Sequence, residues 1–191
     1  MIFLLRRVVY RFLSLIKTAY YSIFYNVKIG KGSIVFYKAK VITLGGGGIK
    51  VGSNCRIGTY SYGYHCGLPF YSTLYTNCGM ISIGNNCRIN GAYISSLKSI
   101  SIGDNCVIAA GVNIMDSNGH LVRSLDRTKE HDQAEPIHIG NNVWIGLNAI
   151  ILKGTTIGDN CVVGANCVVK GEYPPNTLIS SGDVKCNEIK Y

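Results

Sequence analysis

The stretch IGNNVWIGLNAIILKGTTIGDNCVVGANCVVK, residues 139–170, decides how this chain folds. Aliphatic residues recur in it every six positions without a break, at Ile139, Ile145, Ile151, Ile157, Val163 and Val169. Several are followed by Gly, a polar pair and a small apolar residue, as in Ile157-Gly158-Asp159-Asn160-Cys161. A period of six suits neither an amphipathic helix nor a simple alternating strand. It suits short strands joined by tight corners, where Gly and Asn/Asp take turn conformations that other residues resist. Three such strands close a triangular coil of about 18 residues, and successive coils stack at the ~4.8 Å spacing of paired strands. The Ile and the Cys, Val or Ala of each hexad then point inward and fill a prism.

The same phase extends outward from this core. Ile102, Ile108 and Ile114 carry it, then Ile83 and Ile89, Val51 and Ile57, and Ile29 and Val35, so it covers most of residues 27–171. Cys55, Cys87, Cys106, Cys161 and Cys167 share one slot of the hexad, where a small apolar side chain is wanted. That reads as core packing in a reducing compartment, not as a disulfide framework. The sequence has no C-x-x-C pair, so no thiolate zinc site is expected.

With 191 residues, 47% hydrophobic and 15% charged, the chain is one domain with a real core. Its 23 glycines follow no G-x-y period, which excludes collagen, and they would weaken a helical bundle throughout. The net charge of +9 is unevenly placed: residues 1–103 hold twelve Lys/Arg and no acidic residue, residues 104–191 seven basic and ten acidic. The first half suits a surface facing anionic lipid, phosphate groups or an acidic polymer. Zinc-finger spacing, a basic zipper and an aromatic RNA-binding motif are all absent from the sequence, so nucleic acid is not the expected partner.

Residues 1–25 read as a basic amphipathic helix. Arg6, Arg7, Arg11 and Lys17 break the apolar run short of the ~18–20 residues that span a bilayer. They also lie inside the apolar stretch, unlike the charges of a signal peptide. Arg7, Arg11, Ser14, Thr18 and Ser22 fall near one helical face. Two readings stay open: peripheral contact with a membrane surface, or packing over one end of the domain or against a sister subunit. The expected organisation is a basic helix over 1–26, a β-helix over 27–175 with excursions at 58–82 and 115–138, and a tail over 176–191.

The excursions follow from slips in phase. Ile114 and Ile139 are 25 residues apart, one more than four hexads, and residues 115–138 carry eight charged side chains. Long loops of this kind are usually functional or mobile. His120 lies near the start of this one. An imidazole, mostly neutral at pH 7, can accept a proton from a hydroxyl, although a loop histidine is more often merely solvated. Asp116 either orients it or forms the loop's first turn. The 58–82 excursion collects Tyr60, Tyr62, Tyr64, Phe70, Tyr71 and Tyr75, which suit a subunit interface better than a sugar-stacking site. His65, His131 and His138 show no paired metal-ligand spacing.

Four segments add specificity to the hexads: Asp116-Ser117-Asn118-Gly119-His120, Asn141-Asn142-Val143-Trp144-Ile145-Gly146, Val163-Gly164-Ala165 and Tyr173-Pro174-Pro175-Asn176-Thr177. In this order they resemble the hexapeptide-repeat acyltransferases, specifically the maltose/galactoside O-acetyltransferase branch and related polysaccharide O-acetyltransferases. The resemblance implies an all-β left-handed parallel β-helix, a homotrimer, and acetyl-CoA as acyl donor without a metal. It implies His120 as catalytic base and Asn90 beside the thioester, where its amide would help hold the oxyanion; Asn at such a corner is also ordinary turn chemistry. It places the backbone of Leu147 and Ala165 along the pantetheine arm, Lys170 and Lys185 near the phosphates, and Trp144 at the active-site groove or the subunit interface. Where relatives read Thr-Lys this chain reads Lys170-Gly171, and their Gly-x-Pro-x-Lys/Arg reads Gly182-Asp183-Val184-Lys185.

The expected function is O-acetylation of a sugar or glycolipid hydroxyl in cell-surface polysaccharide or lipopolysaccharide biosynthesis. The expected location is the cytoplasm, with residues 1–25 at the inner face of the cytoplasmic membrane. N-acetylation of an amino sugar, O-acetylation of a xenobiotic and a non-catalytic scaffold are the alternatives. The zinc carbonic anhydrase of the same prism lacks its histidine set here, since His120 and His131 lie eleven residues apart within a loop.

Overall fold

Each hexad becomes a strand and a corner for reasons visible in Ile102-Gly103-Asp104-Asn105-Cys106. In the computed structural model, which describes residues 2–59, 71–121, 125–126, 128–180 and 186–188, Ile102 is buried in the prism. A Cβ on Gly103 would lie 2.7 Å from the backbone of Gly140 in the next coil, so no side chain fits there. The backbone N–H of Asp104 donates to Oδ1 of Asn141 at 2.9 Å, and its own Oδ1 accepts the N–H of Asn85 at 2.6 Å, which ties three coils together. Asn105 makes the turn in the left-handed region at φ 59°, as Asn54, Asn86, Asn142 and Asn160 do at their corners. Cys106 then points inward, and its Sγ donates to the Gly140 carbonyl at 3.2 Å. Cys55, Cys87 and Cys161 make the same bond to the coil above them. The cysteine slot therefore combines a small apolar body with a weak donor for a corner carbonyl.

The described strands form sheets of seven, eight and six strands, and the chain visits the three in rotation. The first sheet begins Val27–Ile29, Gly48–Val51, Met80–Ile83, Ser99–Ile102 and Ile137–Ile139. The second runs through Ile34–Val35, Arg56–Ile57, Arg88–Ile89, Val107–Ile108, Trp144–Ile145 and Val162–Val163. The third runs through Lys40–Leu44, Thr73–Asn77, Tyr93–Ser96, Asn113–Met115, Ile150–Ile151 and Val168–Val169. Register places aliphatic on aliphatic: Ile102 on Ile139 on Ile157, and Ile89 on Ile108 on Ile145 on Val163. The fold is a parallel β-helix, as the hexads imply, and a left-handed one, as the resemblance implies.

Strand Thr73–Asn77 falls inside the stretch expected to loop out at 58–82, and Met80–Ile83 begins inside it. The chain is thus back in the prism by Thr73. Thr177–Ile179, in the segment expected as a tail, adds another parallel strand to the second sheet, and Cys186–Glu188 pairs with it antiparallel.

Helix α1, Ile2–Phe24, contains neither Gly nor Pro and lies across the open end of the first coil. Strand edges exposed there need partners, and α1 supplies them with polar side chains. Ser14 Oγ accepts the N–H of Tyr37 at 2.9 Å, Thr18 Oγ1 that of Val35 at 2.9 Å, and the Tyr21 hydroxyl that of Val41 at 3.2 Å. Lys17 Nζ donates to the Tyr37 carbonyl at 2.7 Å. The apolar side of the helix, including Leu5, Val8, Phe12 and Ile23, is left exposed. Among the described residues, no helix is long and apolar enough to cross a membrane.

Candidate active site

His120 belongs to an arm that leaves the prism after Asn113–Met115 and returns at Ile137–Ile139, at the edge between the third and first sheets. The base of the arm is closed by the Glu135 N–H donating to the Asp116 carbonyl at 2.8 Å. Further out its two sides pair: Leu121 N–H donates to the Glu130 carbonyl at 3.2 Å, and His120 and His131 form an antiparallel bridge with ring centroids 6.4 Å apart. His120 itself is exposed.

What fixes the arm is Lys153, at the same edge one coil further on. Its Nζ lies 2.8 and 2.7 Å from the two carboxylate oxygens of Asp132, 3.0 Å from Glu135 Oε1 and 3.1 Å from the Gln133 carbonyl. Asp132 Oδ2 also accepts the N–H of Asn118 at 3.1 Å, two residues before His120. Lys153 holds the Asp132 carboxyl below the usual aspartate range, and Asp132, then Glu135, hold the Lys153 ammonium above the usual lysine value. Sequence reading missed Lys153 and Asp132. Their 21-residue separation matches no motif, and the one signal available was a lysine in a corner slot.

Asp116 is fully buried, and its carboxylate faces the preceding coil. It accepts from Ser96 Oγ, the Leu97 N–H and the Lys98 N–H, each at 2.8 Å. The Asp116 carboxylate therefore holds the corner of the preceding coil at residues 96–98.

Asn90 lies at a different edge, between the second and third sheets, so a single chain does not bring it to His120. Leu147 and Ala165 lie on this same edge, two and three coils beyond Asn90, stacked through the Asn166 N–H donating to the Leu147 carbonyl at 2.8 Å. The edge carries the small residues Gly91, Gly111 and Ala165, of which Gly91 is buried and Ala165 exposed. Beside it opens a cavity of about 470 Å³ whose walls include Gly91, Gly111, Tyr71, Tyr93 and Asn113. Trp144 is 55% exposed on the outer face of the second sheet. Lys170 is exposed at the His120 edge, and Lys185 lies outside the described residues. Among the described residues no group of His, Cys, Asp and Glu has the arrangement of a metal site.

The described residues thus form a three-faced prism of hexads with a histidine-bearing arm at one edge. Residues 80–115 and 136–170 match the family model described as the hexapeptide repeat of succinyl-transferase. Galactoside O-acetyltransferase of Escherichia coli K12 is 39% identical over 123 residues, covering 64% of this chain and 58% of that protein. Polysialic acid O-acetyltransferase of Neisseria meningitidis is 32% identical over 83 residues, covering 43% of this chain and 39% of its own length. A solved galactoside acetyltransferase in complex with coenzyme A superposes with a TM-score of 0.56 at 38% identity, covering 61% of this chain and 59% of that one. The chain thus spans less than two thirds of the length of these relatives.

Proposed function

We propose that the protein is an acetyl-CoA-dependent O-acetyltransferase acting on a sugar hydroxyl, with the acceptor in a cell-surface polysaccharide or lipopolysaccharide precursor. The observation that carries this reading is the histidine arm itself: an exposed imidazole held on a hairpin that Lys153 pins to the rigid prism. His120 takes the proton of the acceptor hydroxyl as its oxygen attacks the thioester carbon. The amide of Asn90 faces the oxygen that gains charge. As the tetrahedral centre collapses, the thiolate leaves and recovers the proton from His120, so no acyl-enzyme forms. The inward-facing cysteines suit that route, because Cys55, Cys87, Cys106, Cys161 and Cys167 are all buried inside the prism.

His120 and Asn90 lie at different edges, so the reading requires a neighbouring copy, and we assign the active unit as a homotrimer whose sites lie between chains. The small-residue edge of Leu147 and Ala165 suits the pantetheine arm, with Lys170 and Lys185 toward the phosphates and Trp144 flanking the groove. Tyr71, Tyr93 and Asn113 offer the acceptor aromatic faces and an amide. Residues 1–25 place the trimer peripherally on the cytoplasmic membrane, where glycolipid precursors are carried.

Transfer of labelled acetyl from acetyl-CoA into a panel of sugars and bacterial glycolipid extracts tests the reading. Alkali-labile label that falls ~10²–10⁴-fold in His120→Ala is the expected result. Alkali-stable label would demote the reading to N-transfer. Undiminished transfer by His120→Ala would remove the base.

A further inference from the structure

The cavity beside the Asn90 edge has two chemically different ends. Its floor is one row of the third sheet, in which Lys40 pairs with Thr73, Thr73 with Tyr93 and Tyr93 with Asn113. Each of the four precedes a buried aliphatic, Val41, Leu74, Ile94 or Ile114, so all four side chains point out of the prism. Three register steps of ~4.8 Å separate Lys40 from Asn113, roughly 14 Å in all. The end at Tyr93 and Asn113 adjoins Gly91, the residue after Asn90, and so lies where the proposed reaction takes place.

The other end lies under α1, which bonds to the backbone at Val41, and it is positively charged. Lys40 stands in the wall, and Lys38 Nζ donates at 2.9 Å to the hydroxyl of Tyr71, a further wall residue. Lys17 of α1 is close by: burial, then the charge of Lys40, holds its ammonium below the usual lysine value. Lys17 and Lys38 are engaged, the first by the Tyr37 carbonyl and the second by Tyr71. Among the described residues no carboxylate pairs with Lys40. No wall residue is acidic, and residues 1–103 contain no acidic side chain. Ammonium groups gathered at one end of a cleft without a counter-charge draw an anion into it. Lys40 is the one of the three that lines the cleft itself.

We propose that this cavity selects acceptors that carry an anionic group, a sugar carboxylate or a phosphate, and that Lys40 is the residue that reads it. The inference rests on the acetyl-transfer reading above and narrows its acceptor to negatively charged glycans. Tyr71 and Tyr93 pack on the sugar faces, the reacting hydroxyl lies at the Asn90 end, and the charge lies toward α1. Lys40 thus sets which acceptor binds and takes no part in the proton transfer.

Acetyl transfer from acetyl-CoA to three matched disaccharides tests it: one neutral, one with a hexuronic acid and one with a hexose phosphate replacing the same hexose. The expected result is a kcat/KM about five- to tenfold higher for a charged acceptor than for the neutral one. The hexuronic and phosphate arms tell which anion is read. Lys40→Gln should abolish the preference through KM for the charged acceptor and not through kcat, and Lys40→Arg should keep it. Lys50→Gln, an exposed charge on the first sheet, should leave the preference intact. Equal kcat/KM for all three acceptors, or a preference that survives Lys40→Gln, overturns the proposal and leaves the acetyl-transfer reading standing. If none of the three is acetylated, that reading fails on these acceptors and binding decides the cavity by itself. Calorimetric titration of the charged disaccharides should then show weaker binding to Lys40→Gln than to wild type, and equal or absent binding overturns the proposal. A change of oligomeric state in Lys40→Gln would assign the lysine to a carboxylate of a neighbouring copy and overturn it as well.

Discussion

At Lys153 a nearly buried ammonium is surrounded by two carboxylates and a carbonyl, and the consequence is felt at His120 through Asn118. The pH sign follows from the two shifts. Asp132 is held low, so its contribution is complete above the ordinary aspartate range and fades as pH falls through its depressed value. Lys153 is held high, so its contribution is complete below the ordinary lysine range and fades as pH rises through the raised value. The clamp is therefore constant across neutral pH, and any bend in the rate profile there comes from other groups. Lys153→Met should lower kcat about 10- to 100-fold by loosening the arm, with KM for the acyl donor little changed and Lys153→Arg restoring most of the rate. A KM change alone would place Lys153 in binding instead. A different residue tests the corners: Gly103→Ala forces a methyl onto the Gly140 backbone and should destabilise by about 1–3 kcal/mol in urea unfolding. His120 could be found in the sequence because its loop breaks the phase, whereas Lys153 sits in phase and its partners arrive only when the chain folds.

Among the elements, α1 shows how a correct pattern can leave its direction open. The stripe of Arg7, Arg11, Ser14, Thr18 and Ser22 was legible as one polar side, and such a side ordinarily faces water. Here its hydroxyls turn inward, because the first coil presents backbone N–H groups at Val35 and Tyr37 that would otherwise lack acceptors. Ser14→Ala and Thr18→Val should each cost about 1–3 kcal/mol, read by thermal unfolding, because each leaves a buried donor without its partner. If both melt like the wild type, water is replacing the hydroxyls and the end of the prism is looser than described. The hairpin within the 115–138 excursion had no comparable signature. Its residues have neither sixfold phase nor alternation, and its order comes from a lysine outside it.

For the whole molecule, the sixfold phase determined nearly everything about the prism, since one register serves every coil and an error in one strand would clash with both neighbours. It misjudged the stretch after Gly58, where aromatic composition hid the return to the prism at Thr73–Asn77. It also could not say that Asn90 and His120 emerge at different edges, because that depends on counting strands through each loop. The stacked cysteines give a global test. With Cys66 and Cys186 replaced by serine, Cys78 should be the one thiol that reacts in the native state, the buried five reacting only on unfolding. Rapid labelling of a second thiol would mean that the coils open independently.

The cap formed by α1 also turns the prism into a ruler. Four coils lie between the helix and the arm that carries His120, and at ~4.8 Å per coil they raise that arm by roughly 19 Å. With α1 seated on a bilayer, the number of coils sets the height at which an acceptor's hydroxyl is met. Which sugar along a lipid-anchored chain is modified would then be chosen by distance from the membrane, and inserting one whole coil would move the choice outward by a single step.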